Sequence, residues 1–341
     1  MNNRVYYAIQ QVQIAPIGTP PNGYTDQHVV YGLQSAGINT NFSLSQVYEL
    51  GQQAIYENIE EVPDIEVTLE KVLDGYAIPY HLATPSASSP TLAGRANQQC
   101  QVLMTIYDDD QDSASGTPIV EVEMSGMYVS QVSFTFPVGE NCTNSTTLVG
   151  NNKVWRLNPS GIGRFPTNDH APIGTGGVQR REDVIFGSGG SVLPPSIRGI
   201  TNIGNGTGYN LMTSGKFGAA IQNINISCNL GREALNQLGT RKPFYRYVNF
   251  PVEVTTEIEV LTKDGDLVNA LEDADNLTNE TIIIKLKEGL IVDCGRRNKL
   301  SSVSNSGGNA GGGDNVTTTY SYQTFNHFTV KHPMDPAGFY P

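Results

Sequence analysis

A mainly β, α+β chain built from two tandem sandwich or barrel domains, each with a flanking helix, is predicted by three observations. A length of the sequence occurs twice: a shift of 188 positions, from 38 to 226, lays Ile38–Pro63 on Ile226–Pro251 without a gap. Apolar residues alternate with polar ones in the stretch that follows each copy, as half-buried strands require. The third observation is length, since 341 residues leave room for two packed cores. A repeat this far apart marks a duplicated domain, not a solenoid of short units.

Within the repeat, Ile38 meets Ile226, Phe42 meets Leu230, Val47 meets Leu235 and Pro63 meets Pro251. Leu50-Gly51 meets Leu238-Gly239, and the shared frame reads as an apolar strand followed by a short helix. Gly51 and Gly239 end those helices, because glycine tolerates the left-handed conformation that closes a helix. All twelve of these residues are expected to pack in the repeat core. After Pro63, Asp64, Glu66, Thr68 and Glu70 share one face of a strand and Ile65, Val67 and Leu69 the other. Glu253, Thr255, Glu257 and Glu259 form the matching face after Pro251, in a less regular pattern that points to a bulge.

Each strand runs into an Asp-Gly turn, Asp74-Gly75 and Asp264-Gly265. Helical stretches follow at Ser89–Asn97 and Asp266–Ala274. Strands are expected next at Gln101–Tyr107 and Thr281–Lys287. Ile119–Met124, Tyr128–Phe136, Thr317–Thr324 and His327–Val330 close the two copies. The organisation is then an extended N-terminal arm (1–28), a first domain (29–136), a Gly/Pro-rich segment (137–216), a second domain (217–333) and a tail (334–341). Trp155 and the run Val192–Ile197 give the middle segment too much apolar character for a tether. Ordered arms on neighbouring subunits are expected there. The glycine tract Ser304–Asp314 reads as a mobile loop tip.

Charge is uneven. Residues 1–150 hold 16 acidic and 3 basic side chains, a net −13, and the remainder 17 and 18, a net +1, so the whole of the −12 excess lies in the part that contains the first copy. An acidic first copy can serve solubility, head-to-tail complementarity, or passage of a polyanion without sticking. No basic stripe exists to bind nucleic acid. The five histidines are scattered, and Cys100, Cys142, Cys228 and Cys294 have no metal-clip or redox spacing. The acidic run Asp108–Asp112 lacks the glycine and distal glutamate of a calcium loop and reads as a solvated turn. No phosphate loop or nucleophile elbow is present. The expectation is a non-enzyme with no cofactor, no metal and no membrane segment, made in the cytoplasm with reduced thiols.

The runs Val30–Ile38, Glu49–Gly51 and Tyr56–Glu60, with Gly231–Gly239 and Tyr247–Val254 in the second copy, resemble tail-tube proteins of tailed bacteriophages. The resemblance covers both repeats and leaves out the middle segment. It implies a sandwich whose inner sheet joins its neighbours' sheets into a barrel around a DNA channel. Most proteins of that family carry one domain and form hexameric rings. This chain carries two, so the resemblance implies three chains in a pseudo-hexameric ring, stacking into a virion tube. Six chains per ring is the alternative. Expected partners are further copies of itself, sheath, terminator and baseplate proteins, and genomic DNA passing through without specific binding. On this view the faces of Glu66 and Glu253 line the lumen. A tail hub, terminator or baseplate ring, or a capsid-decorating or carbohydrate-binding surface protein, are the other readings.

Overall fold

The computed structural model describes residues 5, 10–20, 23–108, 118–157, 177–186, 189–194, 196–197, 212–213, 216–217, 220–261, 268, 279–308 and 315–338. In chain order the first copy contains β1 (Gln10–Pro16), β2 (Leu33–Asn41), β3 (Leu44–Tyr48), β4 (Ile55–Glu60) and β5 (Asp64–Val72). Two short helices follow, α1 (Pro79–Ala83) and α2 (Leu92–Arg95). Then come β6 (Cys100–Ile106), β7 (Val120–Pro137), β8 (Thr143–Gly150) and β9 (Asn152–Leu157). After the short pair β10 (Met212–Thr213) and β11 (Lys216–Phe217), the second copy supplies β12 (Ala220–Asn229), β13 (Arg232–Leu235), β14 (Tyr245–Val248) and β15 (Glu253–Leu261). It ends with β16 (Ile283–Lys285), β17 (Ile291–Asp293), β18 (Lys299–Ser306), β19 (Thr317–Phe325) and β20 (Thr329–Lys331). The fold is mainly β.

One long sheet runs through both copies in the order β18-β19-β15-β12-β7-β8-β5-β2. Its two halves have the same internal order. The first copy contributes β2, β5, β8 and β7, and the second β12, β15, β19 and β18. The strand ladders carry a fingerprint of the duplication. Register shifts between Leu33 and Ser35 in β2 and between Ile221 and Asn223 in β12, so the extra residues are Gln34 and Gln222, again 188 apart. A second pair of shifts leaves Ser130 extra in β7 and Ser301 extra in β18. Bulges persist because they re-aim the strand that carries them.

β7 holds the first copy together. Val120–Ser125 and Met127 pair with β6, and Val120–Ser125 with β9, while Tyr128–Pro137 pairs with β8 or β12. The strand passes from one sheet to the other at Gly126, whose φ of 69° lies where an L side chain is strained. Gly150 ends β8 under this crossing, and a Cβ there would come 2.3 Å from Met127 Sδ. The sheet of β1, β6, β7 and β9 thus covers one side of the first copy. The small sheet β16-β17-β20 is its partner layer in the second copy. Ile65, Val67 and Leu69 of β5 and Val254, Ile258 and Val260 of β15 are buried in one continuous core. All four cysteines are free and buried there.

Several expectations are corrected by these strands. The segment 137–216 is no simple linker: β8 is an interior strand of the long sheet, and β9 carries Trp155 along β7. Its arm lies on the same chain, with Val184 bridged to Leu286 and Val192 to Ile283, and with Leu193 and Ile197 buried. The N-terminal arm is a paired strand, with Val12, Ile14 and Ala15 buried against β6. Ile119–Met124 and Tyr128–Phe136 are one strand, not two. Ser304–Ser306 belong to β18, not to a loop tip. The helix at 266–274 (Val268 apart), the turn Asp264-Gly265 and most of the acidic run 108–112 lie outside the described residues. The C-terminal tail is anchored, because Asp335 forms a buried ion pair with Arg95 of α2.

A buried polar cluster ties the copies together beneath this tail. Lys71 pairs with Asp74 in the first copy, and Glu288 of the second accepts a 2.6 Å hydrogen bond from Gly75 N. His332 Nε2 stands 3.9 Å from Glu288 Oε1, and His81 lies 3.7 Å from Asp335. Burial pushes the Glu288 carboxyl up to about 7 and both imidazoles down to about 3. A buried acid with a raised pKa binds its proton in the fold and loses it in the unfolded chain. Its contribution is therefore complete below pH 4.5 and lost as pH rises through 7. The histidines act oppositely, weakening the fold as pH falls from 6.5 towards 3. Glu288→Gln should raise the melting temperature at pH 8.5, by up to about 3 kcal/mol of stability. The gain should vanish below pH 5 in paired thermal melts.

Candidate assembly surface

Both copies of the repeat fold alike between their first two strands, but not through a helix. β3 and β4 form a hairpin (Leu44 opposite Glu60, Val47 opposite Glu57), as do β13 and β14 (Arg232 opposite Val248, Leu235 opposite Tyr245). Gly51, at φ 91°, and Gly239, at φ 86°, sit in the turns. The expected left-handed glycine is present in each copy, but it closes a hairpin. Val47, Tyr48, Ile55, Tyr56 and Ile59 are β-branched or aromatic and prefer the pleated strand.

These hairpins stand away from the core. Leu50 and Leu238, at the two tips, are fully exposed. Phe42, Val47 and Leu235 are also exposed, as are Leu44, Tyr48, Tyr56 and Phe244. With Gly51, Gly239 and Pro251 also exposed, eight of the twelve residues expected in the repeat core therefore lie on its surface. Ile226 and Leu230 are buried, while Ile38 is half-buried on a free edge. Apolar side chains concentrated on a protruding hairpin mark a surface meant to be covered. The hairpins also differ in charge: residues 42–62 hold four glutamates and no base, whereas residues 230–250 hold Arg232, Arg241, Lys242 and Arg246 against Glu233.

The second hairpin already has a seat on the first copy. Arg232 donates to the carbonyls of Val129 (2.7 Å), Ala96 and Arg246 (3.3 Å), and its guanidinium stands 5.1 Å from the Tyr128 ring centre. Tyr245 packs edge-on against Tyr128 at 5.4 Å and donates to Asn97 O at 2.7 Å. Arg246 pairs with Asp64 and with Asn151. Burial lowers the Arg232 pKa to about 10, leaving it charged at neutral pH. The first hairpin has no counterpart seat within its own chain, among the described residues.

Opposite the core, the long sheet presents a polar face. Asp64, Glu66, Thr68 and Glu70 stand there in β5, and Glu253, Thr255, Glu257 and Glu259 in β15. The less regular second pattern has a simple cause. Ile38 faces Val67 and its counterpart Ile226 faces Thr256, so one extra residue separates Pro251 from its strand. Ser, Thr, Asn and Gln of the neighbouring strands fill the rows between the carboxylates. Thr68 Oγ1, for example, lies 3.5 Å from Thr147 Oγ1. Among the described strand residues the exposed base of this face is Lys299, at its rim.

The sheet has two free edges. β2 carries no charged residue and no proline, and β18 only Lys299. Both are long enough to pair; β2 has none of the charges or prolines that usually guard an open edge, and β18 has the single Lys299 at its start. Their inward residues are left half-exposed. Ile38 and Val303 are examples, although their counterparts Ile226 and Val132 are essentially inaccessible.

No protein-family model matches the chain, and no curated protein matches it. Among solved structures, the tube-terminating cap of the anti-feeding prophage is 14% identical with a TM-score of 0.33, and covers 46% of this chain and 93% of its own. A sheath–tube complex of an extracellular contractile injection system in its extended state is 10% identical, with the same TM-score and coverage. Hcp1 from Salmonella typhimurium is 10% identical with a TM-score of 0.23, covering 44% of this chain and 95% of its own. These neighbours are tube, cap and related components of phage-tail-like assemblies; similarity at this level carries no functional weight.

Truncating the seated hairpin should cost stability. Arg232→Ala strands three carbonyls and empties a partly buried guanidinium site, an expected loss of about 2 kcal/mol in urea unfolding. Leu50→Ser and Leu238→Ser, at fully exposed tips, should change the unfolding midpoint of the isolated chain by no more than about 0.5 kcal/mol.

Proposed function

We propose that this chain is a structural subunit that closes into rings and stacks into a tail tube, and that it has no enzymatic role. The observation that carries the reading is the junction inside the long sheet. There one edge strand of the first copy's sheet, β7, pairs with the opposite edge strand of the second copy's, β12, in an unbroken antiparallel ladder. A chain so built ends with β2, the counterpart of β12, on one side of the sheet and β18, the counterpart of β7, on the other. The same junction can therefore form again between chains. A head-to-tail interface of this kind generates a ring where the rotation closes. Three chains supply six repeats.

In such a ring the polar face of the sheet lines the channel, and its six carboxylates per chain, Asp64, Glu66, Glu70, Glu253, Glu257 and Glu259, meet the passing polymer. DNA in a conduit has to move without binding. Lysine or arginine contacts would each release counterions and hold it, whereas screened carboxylates repel it weakly. The exposed hairpins suit contact with the next ring, and their apolar tips supply the burial that stacking requires. A terminator or baseplate ring would use the same sheet and stop at one layer.

Negative-stain microscopy with native mass measurement of the purified protein tests this. Three-chain rings stacked into tubes are the expected result. Single rings at every concentration favour the terminator or baseplate reading, and monomers overturn ring formation. Leu50→Ser should shorten the tubes and leave the rings intact.

A further inference from the structure

We propose a residue-level seam between chains: β2 of one chain pairs antiparallel with β18 of the next, Ile38 facing Asn305, and Glu57 forms an ion pair with Lys299. The inference rests on the ring reading above and specifies its interface. It follows from the internal junction, which is a complete template. There Ile226 faces Phe134, Ser227 faces Ser133, and Asn229 faces Gln131. The bulge at Gln34 and Gln222 fixes β2 onto β12, so Ile38 takes the place of Ile226 and Asn39 that of Ser227. The bulge at Ser130 and Ser301 fixes β18 onto β7, so Val303 replaces Val132, Ser304 replaces Ser133 and Asn305 replaces Phe134. Transferring the pairs places Asn39 opposite Ser304 and Thr40 opposite Val303 in the next chain.

The edges themselves agree with this register. Ala36 and Ile38 are half-buried at the free edge, where Ile224 and Ile226 are covered at the junction. Val303 is likewise half-exposed where Val132 is covered. Pairing β2 with β18 completes the ladder and covers the three apolar residues together, as strand addition to an open edge does.

The hairpins supply the specificity. In the internal junction Tyr245 of the second hairpin packs on Tyr128 of β7. Their counterparts in the seam are Glu57 of the first hairpin and Lys299 of β18. Both are exposed, and among the described residues neither forms an ion pair in the single chain. An aromatic contact within the chain is thus replaced by opposite charges between chains. The exchange also neutralises the exposed base at the rim of the polar face. Opposite charges at the two free edges favour β2 beside β18 over either edge beside its like.

Cysteine pairs and charge reversal test the seam in the full-length protein. Asn39→Cys with Ser304→Cys, oxidised after assembly, should give a covalent three-chain species on non-reducing gels. Gly37→Cys with Ser304→Cys, two residues out of register, should not. Glu57→Lys or Lys299→Glu alone should raise the protein concentration needed for assembly about fivefold, while leaving the melting temperature of the unassembled chain unchanged. The double reversal should return it to within about twofold. Cross-linking by the Gly37 pair overturns the register, and a double variant no better than the singles overturns the ion pair. Tubes that form with neither cysteine pair linked overturn the seam and leave the tube reading standing. A wild-type protein that never assembles overturns both.

Discussion

The backbone ladder between β7 and β12 is the constraint on which the rest depends. Seven residue pairs, from Asn223 opposite Pro137 to Asn229 opposite Gln131, convert two sandwiches into one sheet. A polar peptide group buried without a partner costs more than a hydrogen bond returns, so once Ile224, Ile226, Val132 and Phe134 are buried the ladder between them must be complete. Because β7 also turns through Gly126 into the covering sheet, a shift in its register would disturb both copies together. The buried Lys71, Asp74, Glu288 and His332 cluster adds a second tie across the same boundary, away from the sheet.

Much of this was legible in the residues. The gapless match of Ile38–Pro63 with Ile226–Pro251 revealed the duplication, because apolar spacing and glycine and proline positions survive when surfaces diverge. The alternation through Ile65, Val67 and Leu69 assigned the faces of β5, since a period of two admits no other arrangement. The irregularity after Pro251 pointed to a bulge, but β15 pairs with β19 without a register shift, and the extra residue precedes the strand.

The hairpins were not legible, for a physical reason. A short apolar run ending in Leu-Gly fits a helix C-terminus and a hairpin turn equally, because both need one residue at positive φ. What decides between them is pairing with Ile55–Glu60 or Tyr245–Val248, which lies beyond the local pattern. The expectation that Leu50 and Leu238 are core residues failed on the same ground: leucine at a repeat position signals a contact, but that contact can belong to another molecule. β8 was hidden in Thr143–Gly150, whose Asn, Ser and Thr resemble a loop. Its inward positions Asn144 and Thr146 are polar, satisfied by Ser133 O and by each other.

Fusing two sheet repeats in one polypeptide has an arithmetic effect. Separate one-domain subunits can close with five, six or seven members, and only interface angles select among them. A ring assembled from whole copies of this chain contains an even number of repeats. Closures of five and seven are then excluded by covalent connection, and the nearest errors, four and eight, demand a far larger change of angle at every joint. In a ring built as proposed, the peptide chain between β9 and β12 acts as a counting device, and it lets the interfaces themselves be less exacting. The same fusion gives the ring a sense of alternation that identical repeats lack, acidic hairpin beside basic hairpin.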